Sequence, residues 1–196
     1  MKNMLNYQRS EFDCGPTSLI NAIRFLFERE EIPPVLLKGV WQFCNDTFNE
    51  QGEAGKHGTS KACMRFMGAW LNEYAATCHF PLCTAYAEGE AALMREDSAA
   101  VQCLRDGGVV VLRCFLGKYG HYVLLTGLEK DGVALFDPYE LGEEYPFAAD
   151  IRRVNDQPRR CNRVVPFARL LDTGREDYNA GNDDKREVLM LRRRAD

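Results

Sequence analysis

Apolar residues after Cys14 recur at three- and four-residue spacing (Leu19, Ile20, Ala22, Ile23, Leu26, Phe27), which predicts one buried face of a helix running to about Glu30, where Pro33-Pro34 stops it. Pro16 suits that helix's first turn, where its missing N–H costs nothing. A second helix is expected over about 35–44. The stretch NDTFNEQGEAGKHG then reads as a loop, and Gly-Thr-Ser at 58–60 caps a third helix reaching about Ala76, with Cys63, Met67, Trp70, Leu71 and Tyr74 as its apolar stripe. Residues 78–96 show no clear period, and Ser98–Asp106 reads as a short helix closed by Gly107-Gly108.

From there the pattern changes. VVVLRCFL at 109–116, HYVLLTGL at 121–128 and VALFD at 133–137 are short, rich in β-branched and aromatic residues, and separated by glycine-containing turns, as in an antiparallel meander. Residues 139–185 are polar and irregular, with EVLMLRR near the end as one further candidate strand. Helices first and strands later predict an α+β fold, with N-terminal helices packed on one side of an antiparallel β-sheet. No repeat or linker divides the 196 residues, so a single domain over 1–196 is expected.

A net charge of -4 argues against a nucleic-acid partner, which would require a basic footprint. No window has the apolar length of a membrane span, and MKNMLNYQRS lacks a signal peptide's apolar region, so a cytoplasmic protein is expected. The eight cysteines form no CxxC pair and mostly lie in apolar stretches, which suits reduced, buried thiols. Cys78, His79 and Cys83 match no zinc spacing, and no metal or cofactor is expected. The glycine-dense GEAGKHGTS lacks phosphate-loop spacing and reads as a solvated loop near the cleft; the arginines at 152–163 could meet an acidic substrate but read more simply as solvated or internally paired, and RRR at 192–194 as a soluble tail.

Cys14 stands at a predicted helix start, where the helix dipole favours a thiolate. Alone it would be read as a packing residue, as His121 opening a strand and Asp137 closing the next would be read as structural groups. Together they are the parts of an activated-nucleophile triad. The order carries a geometric condition. Direct cross-strand pairing of His121 with Asp137 requires a turn centred on Glu129, whereas a two-residue Asp131-Gly132 turn would pair Asp137 with Thr126 and put His121 on the opposite face.

QRSEFDCGP at 8–16 resembles the nucleophile motif of the double-glycine (bacteriocin-processing) peptidases, a branch of the papain-like cysteine peptidases; GHYVLLTG at 120–127 and FDP at 136–138 resemble their histidine and aspartate motifs. The resemblance implies a papain-like fold and a peptide substrate. It also implies Cys14 as nucleophile, His121 as general base and acid, Asp137 orienting the imidazole, and Gln8 donating to the oxyanion beside the Cys14 N–H. It covers 6–28 and 107–139, leaving the cleft-shaping stretches unmatched, so double-glycine specificity is not carried over. Hydrolysis of a peptide or isopeptide bond is the expected reaction. Acyl transfer to an amine or thiol, a non-catalytic peptide-binding module, and a redox or metal role for the cysteines are the alternatives.

Overall fold

The computed structural model describes residues 3–194, so the first two and last two residues of the expected domain lie outside it. Helix α1 spans Cys14–Leu26, shorter than the periodicity predicts because Phe27 turns extended; a 3₁₀ turn over Arg29–Glu31, closed by a reciprocal Glu28/Glu31 capping box, leads into α2 at Pro34–Phe43. The Ser60 hydroxyl caps α3 (Lys61–Thr77) by accepting from the Cys63 N–H, and Ser98 caps α4 (Ala99–Arg105) in the same way through Val101.

The strands are β1 (Leu82–Glu88), β2 (Val109–Leu116), β3 (Tyr119–Glu129), β4 (Gly132–Phe136), β5 (Arg152–Arg153), β6 (Arg163–Val165) and β7 (Glu187–Arg193), with a short α5 at Phe167–Leu171 between the last two. They form one antiparallel sheet in the order β1-β7-β2-β3-β4-β6-β5. Two features of that order were beyond the local pattern. The unassigned 78–96 stretch supplies an edge strand, and the last strand enters the sheet between it and β2. Residues 192–194 are therefore no free tail: Arg192 and Arg193 lie in β7, and Arg193 pairs with Glu31 at 2.7 Å.

Helices α1, α2 and α3 pack on one face, where Leu19, Ile23, Leu36, Met64, Met67 and Leu71 meet Val109, Val111, Leu124 and Phe136. The opposite face is covered too. Residues of α4 and α5 join Leu112, Val123, Leu125, Val133 and Leu135 in a second core, so the helices are not confined to one side as the sequence suggests.

The β3–β4 hairpin follows neither register expected from the sequence. Its two-residue turn is Lys130-Asp131, flanked by Glu129 opposite Gly132, and the ladder shifts by one between Leu125 and Gly127, leaving Thr126 as a bulge. The Thr126 hydroxyl donates to the Ala134 carbonyl at 3.3 Å, which gives the buried extra residue a partner. Beyond the bulge Leu124 stands opposite Phe136, so the continuing register carries Asp137 to Val123, two residues from His121. Without it Asp137 would face Leu124 and the two side chains would emerge on opposite faces.

The hairpin is clamped to β6 at Gly132. A Cβ there would lie 2.3 Å from the Val165 carbonyl oxygen, a backbone atom that cannot swing aside. Gly132→Ala should therefore destabilise the chain by about 1–3 kcal/mol, read as a lower midpoint in chemical denaturation. An unchanged midpoint would mean that this strand contact is looser than described.

Candidate active site

Helix α1 begins without a side-chain cap. Asp13 occupies the capping position, but its carboxylate accepts from the Ser10 N–H at 3.1 Å and the Asn45 side-chain amide at 3.0 Å instead. The first helical bond at this end runs from the Thr17 N–H to the Asp13 carbonyl, so among the described residues the Cys14 and Gly15 amides have no acceptor. Cys14 is buried, with these free amides and the positive end of the helix dipole at its side. The Ser18 hydroxyl fixes α1 to β3 by donating to the Tyr122 carbonyl at 3.0 Å. At Gly15 a Cβ would fall 2.3 Å from the Thr59 hydroxyl oxygen, so the 45–60 loop lies directly against the cysteine's helix turn.

His121 enters from β3. Its Nε2 lies 2.7 Å from Asp137 Oδ1, both side chains are buried, and the ring interacts with Cys14. With Nε2 taken by the carboxylate, Nδ1 is the nitrogen left to face the thiol. Burial works against the charged ring, but the Asp137 carboxylate and the contact with Cys14 outweigh it and push His121 up to about 10. The surroundings of His121 thus favour the charged ring.

Asp137 is held from all sides. Its Oδ1 also accepts from the Tyr139 N–H at 2.8 Å, and its Oδ2 accepts from the Tyr178 hydroxyl at 2.8 Å. Asn162 brackets its main chain, accepting from the Asp137 N–H and donating to the Asp137 carbonyl, both at 2.8 Å. Burial alone would raise this carboxyl; the His121 cation, with the Tyr139 and Tyr178 hydrogen bonds, holds it below its ordinary value. Burial pushes the Tyr178 hydroxyl well up, so it stays a neutral donor. Neither Tyr178 nor Asn162 stood out in the sequence. Both belong to the irregular 139–185 stretch, and nothing in REDYNAG or RRCNR marks a partner 41 or 25 residues away.

The structure brings Cys14, His121 and Asp137 together. Gln8 arrives on an N-terminal segment pinned to α1 by reciprocal Asn6–Asn21 bonds of 2.8 and 2.9 Å, and its backbone N–H donates to the Pro138 carbonyl at 2.8 Å. Its side-chain amide donates to the Ser10 carbonyl at 2.7 Å, while its Oε1 is buried with no partner among the described residues.

Cys14 and His121 open into a cleft of about 870 Å³. Its walls are the 45–60 loop with His57 and Thr59, the tip of the β2–β3 hairpin with Tyr119, and Tyr139, Leu141 and Tyr145 beyond Asp137. GEAGKHGTS is thus a cleft wall, and none of the arginines at 152–163 reaches the cleft: Arg160 pairs with Glu129 at 2.7 Å, and Arg153 and Arg163 both lie over the Phe147 ring. Among the described residues, no group of three His, Cys, Asp or Glu side chains is placed to hold a metal ion, and no helix is long and apolar enough to cross a membrane.

No protein-family model matches the chain, and no curated protein matches it in sequence. Solved structures similar to it are peptidase domains. The peptidase domain of Streptococcus mutans ComA shares 12% identity over 96% of this chain and 98% of that chain, with a TM-score of 0.42. A peptidase domain of Streptococcus ComA, described as a bi-functional ABC transporter involved in a quorum-sensing pathway, gives 11%, 97%, 98% and 0.46 for the same quantities. A double-glycine motif protease from an AMS/PCAT transporter, solved in complex with a leader peptide, gives 13%, 98%, 93% and 0.46.

Proposed function

We propose that this chain is a cysteine peptidase-like hydrolase that cleaves a peptide or isopeptide bond through an acyl-enzyme on Cys14. The observation that carries the reading is the pairing of His121 with Asp137 at 2.7 Å, with the same imidazole interacting with Cys14 at the uncapped start of a helix, and Cys14 and His121 lining one cleft. A reducing, cytoplasmic setting suits eight unpaired cysteines.

In this mechanism the Cys14 sulfur, its proton held by His121, attacks the substrate carbonyl and forms the S–C bond. The carbonyl oxygen, now negative, accepts from the free Cys14 amide, and Gln8 is the proposed second donor through the side-chain N–H not engaged by Ser10; each such donor is worth ~3 kcal/mol in the transition state. The imidazolium passes its proton to the leaving amine as the C–N bond breaks. His121 then takes a proton from water, which attacks the thioester carbonyl and releases the acid and the thiol. Asp137 stays ionised throughout and fixes the ring. An amine in place of water gives acyl transfer, which product masses from peptide mixtures with and without added amine distinguish from hydrolysis.

Iodoacetamide at pH 6 should label Cys14 ahead of the other cysteines, most of which are buried away from the cleft, and His121→Ala should slow that labelling by at least tenfold. Equal labelling of several cysteines, or no effect of the substitution, would overturn the proposed nucleophile.

Charge on His121 also sets a pH dependence of stability. Because its folded value lies near 10 against an ordinary 6.5, its contribution is complete below about pH 6.5 and is lost as pH rises toward 10. The stability difference between the wild type and His121→Gln should therefore shrink across that window in denaturant titrations. A difference that stays constant would show that the ring is neutral in the folded state.

A further inference from the structure

Arg113 stands out among the side chains that line the cleft. It pairs across β2–β3 with Tyr122, on the sheet face that carries α1, and its guanidinium lies over Gly120, the residue before His121: a Cβ on Gly120 would come within 2.5 Å of Arg113 Nη2. Nη1 donates to the Lys185 carbonyl at 3.1 Å, and the guanidinium sits 5.6 Å from the Phe115 ring centroid. The head group is therefore fixed in place, yet only one of its five N–H donors has an acceptor among the described residues.

No ion pair neutralises it among the described residues. The buried carboxylate of Glu187 feels the Arg113 charge but makes no ion pair with it, its oxygens accepting from the hydroxyls of Tyr86, at 2.8 Å, and Tyr122. Glu11 and Asp184, also on the cleft lining, are exposed to solvent. Lys185, half-buried beside Arg113, adds a second cation to the same wall, while Lys61 is shared between Glu88 and the Asp184 carbonyl. Arg113 lines the same cleft as Cys14 and His121, which places the cation on the wall of the space open to the thiol.

We propose that Arg113, with Lys185 beside it, forms a carboxylate subsite: it takes a carboxylate of the peptide substrate, an Asp or Glu side chain or a free C-terminus, close to the bond that Cys14 attacks. This rests on Cys14 being the nucleophile. A planar guanidinium fork offers a carboxylate two parallel hydrogen bonds, and Gly120 keeps the floor below it open. Without a substrate carboxylate the partly desolvated fork stays unmatched, so an amide in that position is disfavoured by more than the missing attraction.

Two alkylating agents of similar size test this without knowledge of the natural substrate. Iodoacetate carries a carboxylate and iodoacetamide does not; with either, the Cys14 thiolate forms an S–CH₂ bond and iodide leaves. The ratio of the iodoacetate rate to the iodoacetamide rate at Cys14 should fall by roughly 3- to 10-fold in Arg113→Ala and be largely retained in Arg113→Lys. Peptide pairs matched as Glu/Gln and as free acid/C-terminal amide identify the carboxylate's source, the wild type cleaving the acidic member about tenfold faster and Arg113→Glu abolishing that preference. Labelled Cys14 with the same rate ratio in wild type, Arg113→Ala and Arg113→Glu would overturn the subsite while leaving the nucleophile intact. Failure of both reagents to label Cys14 would overturn the nucleophile, and the subsite with it.

Discussion

A carboxylate with no solvent exposure governs the rest of this structure. Asp137 is fully buried and charged, and an ionised carboxylate taken out of water without partners is so costly that it would protonate instead. Its charge persists because a cation, a backbone amide and a tyrosine hydroxyl all converge on it, from β3, from its own turn and from the 139–185 stretch. Those requirements tie three distant parts of the chain to one point. They also account for Tyr178 holding a backbone with φ of 64°, unusual for a bulky residue: the Tyr178 N–H donates to the Phe115 carbonyl at 2.7 Å while the hydroxyl reaches Asp137.

The meeting of His121 with Asp137 depends in turn on one extra residue. Period-two alternation in HYVLLTGL and VALFD identifies the two strands, and it sets the faces correctly within each. What it cannot set is the phase between them. The turn residues Asp131-Gly132 suggest one register and the triad requires another, and the observed hairpin adopts a third, in which the Thr126 bulge corrects the parity produced by the Lys130-Asp131 turn. A bulge leaves almost no local signature here, because Thr is an ordinary strand residue and Gly127 beside it has extended company on both sides. Register is decided by packing on two cores, Val123 and Leu125 against one and Tyr122 and Leu124 against the other, and that information is spread along the whole chain.

Legibility followed locality. Helices α2, α3 and α4 were readable because each has its own start signal, Pro34, Ser60 and Ser98, close to its apolar stripe. The edge strand at 82–88 was not, since neither face is fully buried and its partner is the last strand of the chain, more than a hundred residues away. In the site, Cys14, His121 and Asp137 were legible as a set of chemically matched residue types. Their supports were not: a tyrosine and an asparagine in polar surroundings have no pattern until the fold places them beside a buried charge. Gln8 is a third kind of case, found only through resemblance, and its surroundings now show why composition would never expose it: its placement comes from main-chain bonds to Pro138 and from the Asn6–Asn21 clasp.

The start of α1 explains why a cysteine can stand where a capping residue is usual. A helix beginning with an uncapped turn leaves amides unsatisfied, and a buried end of that kind destabilises the fold unless something else binds there. Asp13 holds the right position to cap α1 through its side chain, and Asn45 and the Ser10 amide draw its carboxylate away. The diversion ties the 45–60 loop to the helix end and leaves the Cys14 and Gly15 amides for an oxygen from outside the chain. A carbonyl oxygen acquiring negative charge satisfies such amides better than a neutral one, so in the proposed reaction an end that is a defect in the resting fold becomes a source of preferential binding for the tetrahedral intermediate. The cation at His121 then has a second consequence. In the proposed mechanism, as negative charge moves from sulfur to oxygen during attack, the helix end takes over what the imidazolium gives up. In that mechanism, burial of the Asp137 carboxylate, the bulge that aims His121 and the missing cap at Cys14 all act on the same quantity, the position of one negative charge along a path from sulfur to oxygen.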